Sequence, residues 1–152
     1  MTEFSLRAAR ETDYDRLLPL CKQFYLELSL PEVACRIPST LKGVLAREDT
    51  AAFLAESPVE IIGFAAMSTS YGLEAGLYCE LEDLFVSPEW RGHGVASSLI
   101  DAAISWANAQ GCHDMEVVLT RESQQDRHLL SWYEKRRYVE TGRTILTRTL
   151  GA

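Results

Sequence analysis

Apolar and polar positions change period several times along the chain, and each period predicts an element. Phe4-Ser5-Leu6-Arg7-Ala8 alternates apolar with polar, as a half-buried strand does. Thr12 and Asp13 can cap a helix, and Asp15, three residues after Thr12, resembles a capping box. Leu17, Leu18, Cys21, Phe24, Tyr25 and Leu28 then fall at helical spacing. Pro19 lies inside that span and predicts a late start or a bend, because it removes a backbone donor. Residues 29–39 carry Pro31 and Pro38 and read as a loop, followed by a short helix through Leu41, Val44 and Leu45.

Two apolar runs, 51–56 and 61–70, flank Ser57-Pro58-Val59-Glu60, the pattern of a hairpin. Residues 71–76 form a second turn, and 78–86 the next strand, closed by Ser87-Pro88-Glu89-Trp90. Val95, Leu99, Ile100, Ala103, Ile104 and Ala107 share one face of a helix running from Gly94 to Gln110, with Gly111 as its stop. Residues 115–119 suit a buried parallel strand, 126–136 a second late helix, and 138–150 the last strand or strands. The order predicts an α/β (α+β) fold. It has one mixed, mostly antiparallel central sheet flanked by helices, in a single domain over residues 1–152.

A chain of 152 residues suits one domain, and its 47% apolar and 24% charged residues are ordinary for a soluble globular protein. The net charge of -7 argues against a nucleic-acid binder, which needs a basic surface, and is compatible with a cationic partner. Cys21, Cys35, Cys79 and Cys112 lie far apart, and His93, His113 and His128 do not sit at ligand spacing with them. Neither a metal site nor a disulfide framework is expected, which suits reduced thiols in the cytoplasm. No leader-like N-terminus and no membrane-length apolar run is present, so no membrane partner is expected.

The chemistry concentrates at the junction of the 78–86 strand and the long helix. There Arg91, Gly92, His93, Gly94, Val95, Ala96 and Ser97 form a glycine-bearing loop that opens a helix. Such a helix start offers unpaired backbone N–H groups and the positive end of the dipole, a cradle for phosphate oxygens. Arg91 can add a charge-assisted contact. A plain connecting turn has the same glycine content. A Walker loop would need a lysine after Gly94, and a dinucleotide fingerprint a third glycine where Ser97 stands.

The segment from Leu81-Glu82-Asp83-Leu84-Phe85-Val86 through Ser87-Pro88-Glu89-Trp90 to Arg91-Gly92-His93-Gly94-Val95-Ala96 resembles the central motif of the GNAT superfamily of N-acetyltransferases. That motif reads Arg/Gln-x-x-Gly-x-Gly/Ala, and Arg91, Gly94 and Ala96 match it in register. The resemblance implies acetyl-CoA as co-substrate. Leu84, Phe85 and Val86 would pair with its pantetheine arm, and the N–H groups of residues 91–97 would hold its pyrophosphate. A backbone N–H near Val86 would meet the oxyanion. Glu82 stands where the di- and polyamine branch carries a glutamate associated with the acceptor. The family's common dimers imply a homodimer.

Trp132-Tyr133-Glu134-Lys135-Arg136-Arg137-Tyr138 resembles the family's later motif, with Tyr133 on its tyrosine. Arg137 and Tyr138 replace the usual glycine and phenylalanine, and Asp126 stands where many members carry a cofactor-contacting asparagine. The resemblance implies Tyr133 as the acid for the departing thiolate; without it, Tyr133 reads as a half-buried helix aromatic. Strand alternation would let only one of Glu82 and Asp83 face the acceptor cleft. Tyr25 and Glu27 on the first helix are further candidate acceptor contacts. Arg121, Arg127, Lys135, Arg136, Arg137, Arg143 and Arg148 could meet the coenzyme's 3′-phosphate or form a solvated face. The resulting expectation is acetyl transfer to a primary amine, a di- or polyamine foremost, with an aminoglycoside, an amino acid or a protein N-terminus as alternatives. A non-catalytic acyl-CoA sensor is the alternative of a different class.

Overall fold

In the computed structural model, which describes residues 3–151 and at 125–127 the backbone alone, one sheet is laid down in chain order. Its strands are β1 (Ser5–Ala8), β2 (Thr50–Glu56), β3 (Ile61–Gly72), β4 (Gly76–Val86) and β5 (Asp114–Val117). The first three pairings are antiparallel. β4 and β5 are parallel, and the crossover this requires is supplied by α4 (Val95–Gln110). Between β1 and β2 lie α1 (Tyr14–Glu27), α2 (Pro31–Ala34) and α3 (Ile37–Ala46). The chain divides into two compact units, residues 1–118 and 119–152.

Period-two alternation along β3 puts helices on both faces of the sheet in the first unit. Phe64 meets Phe24 of α1, ring centroids 6.0 Å apart, while its neighbour Gly63 faces Val95 and Leu99 of α4. Leu17, Leu20, Cys21 and Phe24 give α1 its buried stripe, joined in one cluster by Ile37, Leu41, Leu54 and Phe85. On α4, Val95, Leu99, Ile100, Ala103 and Ala107 are buried. Gly94 and Gly111 bracket that helix with left-handed φ of 82° and 83°.

The helical segment between β1 and β2 departs from the sequence reading in three ways. Residues 31–34 are helical, and the helix expected through Leu41, Val44 and Leu45 starts already at Ile37; Pro31 and Pro38 lie in first turns, where a missing N–H loses no bond. α1 runs through Pro19, which lies on its exposed side, so the bond it omits faces water. Asp13, rather than Thr12, anchors the start of α1. Its carboxylate accepts from the Arg10 N–H at 2.8 Å and from both terminal nitrogens of Arg7 at 2.8 and 2.7 Å.

In the second unit the late helix is two: α5 (Arg121–Arg127) and α6 (Leu129–Glu134). His128 between them has φ 50°, which breaks the right-handed run. Among the described residues, 138–150 contains no strand. Val139, Leu146 and Leu150 there are exposed. Alternation alone does not fix a strand, and Gly142, with φ 71°, puts a left-handed residue inside this run.

Candidate functional site

The expectation that Glu82 and Asp83 point to opposite faces is overturned by a bulge. On β3, Ala66 opposes Asp83 and the next residue, Met67, opposes Leu81, so Glu82 is the extra residue. A bulge breaks the alternation and re-aims the inserted side chain. Both carboxylates therefore line one cavity of about 310 Å³, walled by α1, α2, α3 and the sheet. The Ser68 hydroxyl on β3 donates to Glu82 at 2.5 Å. The Tyr25 hydroxyl donates to Asp83.

Burial raises the Asp83 carboxyl above its ordinary range; the Tyr25 hydrogen bond opposes this, and the negative Glu82 adds to it. Tyr25 is pushed up in turn, first by burial and then by Asp83, so it stays a neutral donor. Cys21, another lining residue, is pushed up to about 12 by burial and by Asp83. It is a neutral thiol with no nucleophilic character at pH 7.

Glu27 does not belong to this group. Its carboxylate accepts from the Arg91 Nη2 at 2.8 Å, and the Arg91 Nε–H donates to the Val86 carbonyl at 2.9 Å. The Arg91 guanidinium also lies 5.5 Å from the centroid of the Phe85 ring. The expected free charge for a phosphate is thus engaged in holding the loop to β4 and to the end of α1. An ion pair this exposed contributes at most about 1 kcal/mol, so its effect is one of geometry.

The loop itself has the geometry that the sequence predicts. Gly92 and Gly94 have φ of 81° and 82°, which L side chains rarely adopt. No side chain caps α4 at Gly94. The start of α4, at Val95 and Ala96, thus presents the N–H-rich end that suits an anion. His93 places Nδ1 3.1 Å from the Arg91 carbonyl oxygen. β5 last pairs at Leu81 with Val117, whereas β4 continues to Val86. Residues 82–86, which include Leu84, Phe85 and Val86, therefore have one backbone edge without a strand partner among the described residues. These two features, an uncapped helix end and an open strand edge, fit a ligand with a pyrophosphate and an extended amide-bearing arm.

Tyr133, in the second unit, is buried between Trp132 and Tyr138, with ring centroids at 5.0 and 5.2 Å. Burial first, then Tyr138, pushes its hydroxyl up to about 12, against the lowering effect of Arg136. The Arg136 guanidinium stacks 3.5 Å from the Trp132 ring centroid and donates to the Trp132 carbonyl. That member of the basic cluster is engaged locally. The side chain of Asp126 lies outside the described residues.

Sequence reasoning missed Ser68, Gly63, α2 and the first turn of α3. Gly63 did leave a signal, since glycine inside a strand marks a close approach. Its missing Cβ would lie 2.8 Å from the Phe85 carbonyl oxygen. No group of three His, Cys, Asp or Glu residues among those described could hold a metal ion. No described helix is long and apolar enough to cross a membrane.

In this sheet β4 runs on past its pairing with β5 towards the glycine-started crossover helix α4. Residues 14–137 match the model of the acetyltransferase (GNAT) family, and the chain belongs to that family. Over 76 residues it is 34% identical to aminoglycoside N(6')-acetyltransferase type 1 of Salmonella typhimurium, covering 47% of this chain and 52% of that one. Over 73 residues it is 32% identical to an uncharacterized N-acetyltransferase of Archaeoglobus fulgidus, covering 47% and 50%. The chain thus spans about half the length of these curated relatives. A solved structure of aminoglycoside N-acetyltransferase AAC(6')-Iy in complex with CoA superimposes with a TM-score of 0.80 at 25% identity, covering 98% and 96%.

Proposed function

We propose that this protein is an N-acetyltransferase that moves the acetyl group of acetyl-CoA to a primary amine. The observation that carries the reading is the layout of β4. The strand turns two carboxylates into a cavity at residues 82–83, opens a backbone edge over 82–86, and leads into the uncapped α4. Donor and acceptor would meet at consecutive residues of one strand. Similarity to N-acetyltransferases, one solved with CoA, supports the choice of donor.

In this reaction the amine nitrogen bonds to the acetyl carbon, the carbon–sulfur bond breaks, and the proton lost by nitrogen ends on sulfur as a free thiol. An alkylamine has a pKa near 10.4, so a base must take its proton before or during attack. Glu82 and Asp83 are the candidate groups, directly or through water. A backbone N–H near Val86 would stabilise the oxyanion. Tyr133, kept neutral by burial, would donate a hydrogen bond to the departing sulfur as its acid. Asp126 remains a candidate cofactor contact on motif position alone.

The family match runs through both units, which supports one acetyltransferase domain over the whole chain. The free cysteines support a cytoplasmic location. The resemblance to a family in which dimers are common supports a homodimer. An aminoglycoside acceptor is the second reading, favoured by the relatives' names. The test is release of free thiol from acetyl-CoA with a panel of amines. Turnover with any of them supports the enzyme. Coenzyme binding without turnover of any amine would leave an acyl-CoA sensor in its place.

A further inference from the structure

We infer that the acceptor is a primary monoamine on an apolar body, such as an alkyl- or arylalkylamine, in preference to a polycation. The inference rests on the acetyltransferase reading and narrows its acceptor. Ten of the seventeen residues lining the cavity are apolar, and they form its walls from three directions. Leu17 and Cys21 come from α1, Leu41 and Val44 from α3, and Phe64 and Met67 from β3.

The polar groups gather on β4 and its neighbours. Glu82 and Asp83 each accept one hydroxyl, from Ser68 and Tyr25. A carboxylate has about four lone-pair sites, so the pair keeps acceptors for an ammonium, all of them at one end of the cavity. The remaining polar lining offers a second ammonium little. Thr50 donates its hydroxyl to the Val44 carbonyl, and Thr40 turns its own on the backbone of Arg36 and Ile37. Arg36, the other charged residue of the lining, has the same sign as an ammonium and is exposed.

A second cation held among the apolar walls would thus lose its hydration without gaining a partner. An apolar body does the opposite. Each methylene moved from water onto these walls strengthens binding about fourfold.

The experiment uses the intact protein and two readouts. Thiol release gives kcat/KM for propyl-, butyl-, pentyl- and hexylamine, phenethylamine, 1,6-diaminohexane, spermidine and neamine. Calorimetry gives Kd for hexylamine and 1,6-diaminohexane, with the wild type and with Asp83→Asn. We expect kcat/KM to climb about fourfold per methylene until the cavity fills. Hexylamine should exceed 1,6-diaminohexane at least tenfold in both readouts and lose at least tenfold in affinity in Asp83→Asn. A flat alkylamine series, or a diamine or neamine that outperforms hexylamine, overturns the apolar-acceptor inference and leaves the acetyltransferase standing. Hexylamine binding that shows these preferences, with no amine turned over, overturns the acetyltransferase reading while upholding the cavity's preference. Absence of hexylamine binding overturns the inference whatever the turnover.

Discussion

Replacing Gly63 by alanine tests whether β3 is what seats the coenzyme-facing segments. Gly63 lies opposite Val86, and its φ is not in the left-handed region, so alanine meets no backbone objection there. The obstacle is space. The new methyl carbon would stand 2.8 Å from the Phe85 carbonyl oxygen, 3.3 Å from Leu99 Cδ1 and 3.4 Å from Val95 Cγ1. The two side chains can give way, but the carbonyl is part of β4 and moves only if the strand does. Overpacking of this kind costs about 1–3 kcal/mol. For a chain of this length each kcal/mol lowers Tm by about 2–4 °C, giving a fall of about 2–12 °C. Gly43→Ala is the matched opposite. Nothing lies within 4 Å of its added methyl, and it sits inside α3. There alanine should stabilise by about 0.5–1 kcal/mol. Urea unfolding of both variants, with coenzyme A titrated by calorimetry, gives the answer. Gly63→Ala should weaken coenzyme binding because Phe85, Val86 and the start of α4 must shift; Gly43→Ala should not. Equal stability of Gly63→Ala and wild type would refute the packing argument. Destabilisation with unchanged coenzyme affinity would separate Gly63 from the site.

Two other substitutions read different parts of the molecule. Asp13 is held at about 2 by hydrogen bonds from Arg7, which outweigh its burial, against an ordinary value of 3.8. Its stabilisation is therefore full above about pH 4 and lost as the pH falls towards about 2, an effect of about 2 kcal/mol. Asp13→Asn should lose about that much at pH 7 and flatten this part of the stability–pH curve; an unaltered curve would remove Asp13 as its source. Tyr133→Phe should lower kcat about tenfold or more with little change in coenzyme affinity. Since burial holds the phenol at about 12, wild type and variant should share the same pH–rate shape up to about pH 10. Unchanged kcat would take Tyr133 out of the mechanism.

The elements whose periodicity is set by their own residues were legible in the sequence. A strand at β1, the apolar face of α4 and the glycines at both its ends all reappear in the structure, although Arg7 rather than Ala8 is the half-buried partner of Leu6 in β1. What depended on a partner was not. Arg91 and Glu27 each had a reasonable separate assignment, and their pairing across 64 positions changed both. Pro31 and Pro38 read as loop because proline breaks a helix interior, yet each sits in a first turn. That misreading also hid α2 and the first turn of α3, which bring Val33 and Ile37 to the cavity wall.

The register shift at Glu82, one of two in the sheet, is also where the chemistry gathers, and the two facts have one cause. With regular pairing, Glu82 would project to the α4 face, away from Asp83, and a single carboxylate would meet the acceptor. The extra residue at Glu82 brings both to the cavity side. A bulge also increases the local twist of its strand. The parallel partner β5 stops pairing at Leu81, the residue just before the bulge. Beyond that point β4 is free to present its edge to a ligand. One inserted residue thus accounts for the paired acids, for the open edge at 82–86, and for their adjacency. Deleting Glu82 should therefore do more than remove a charge. It should restore regular pairing, turn the strand's later side chains, and abolish coenzyme binding along with turnover. Glu82→Gln keeps the bulge and should leave coenzyme binding intact.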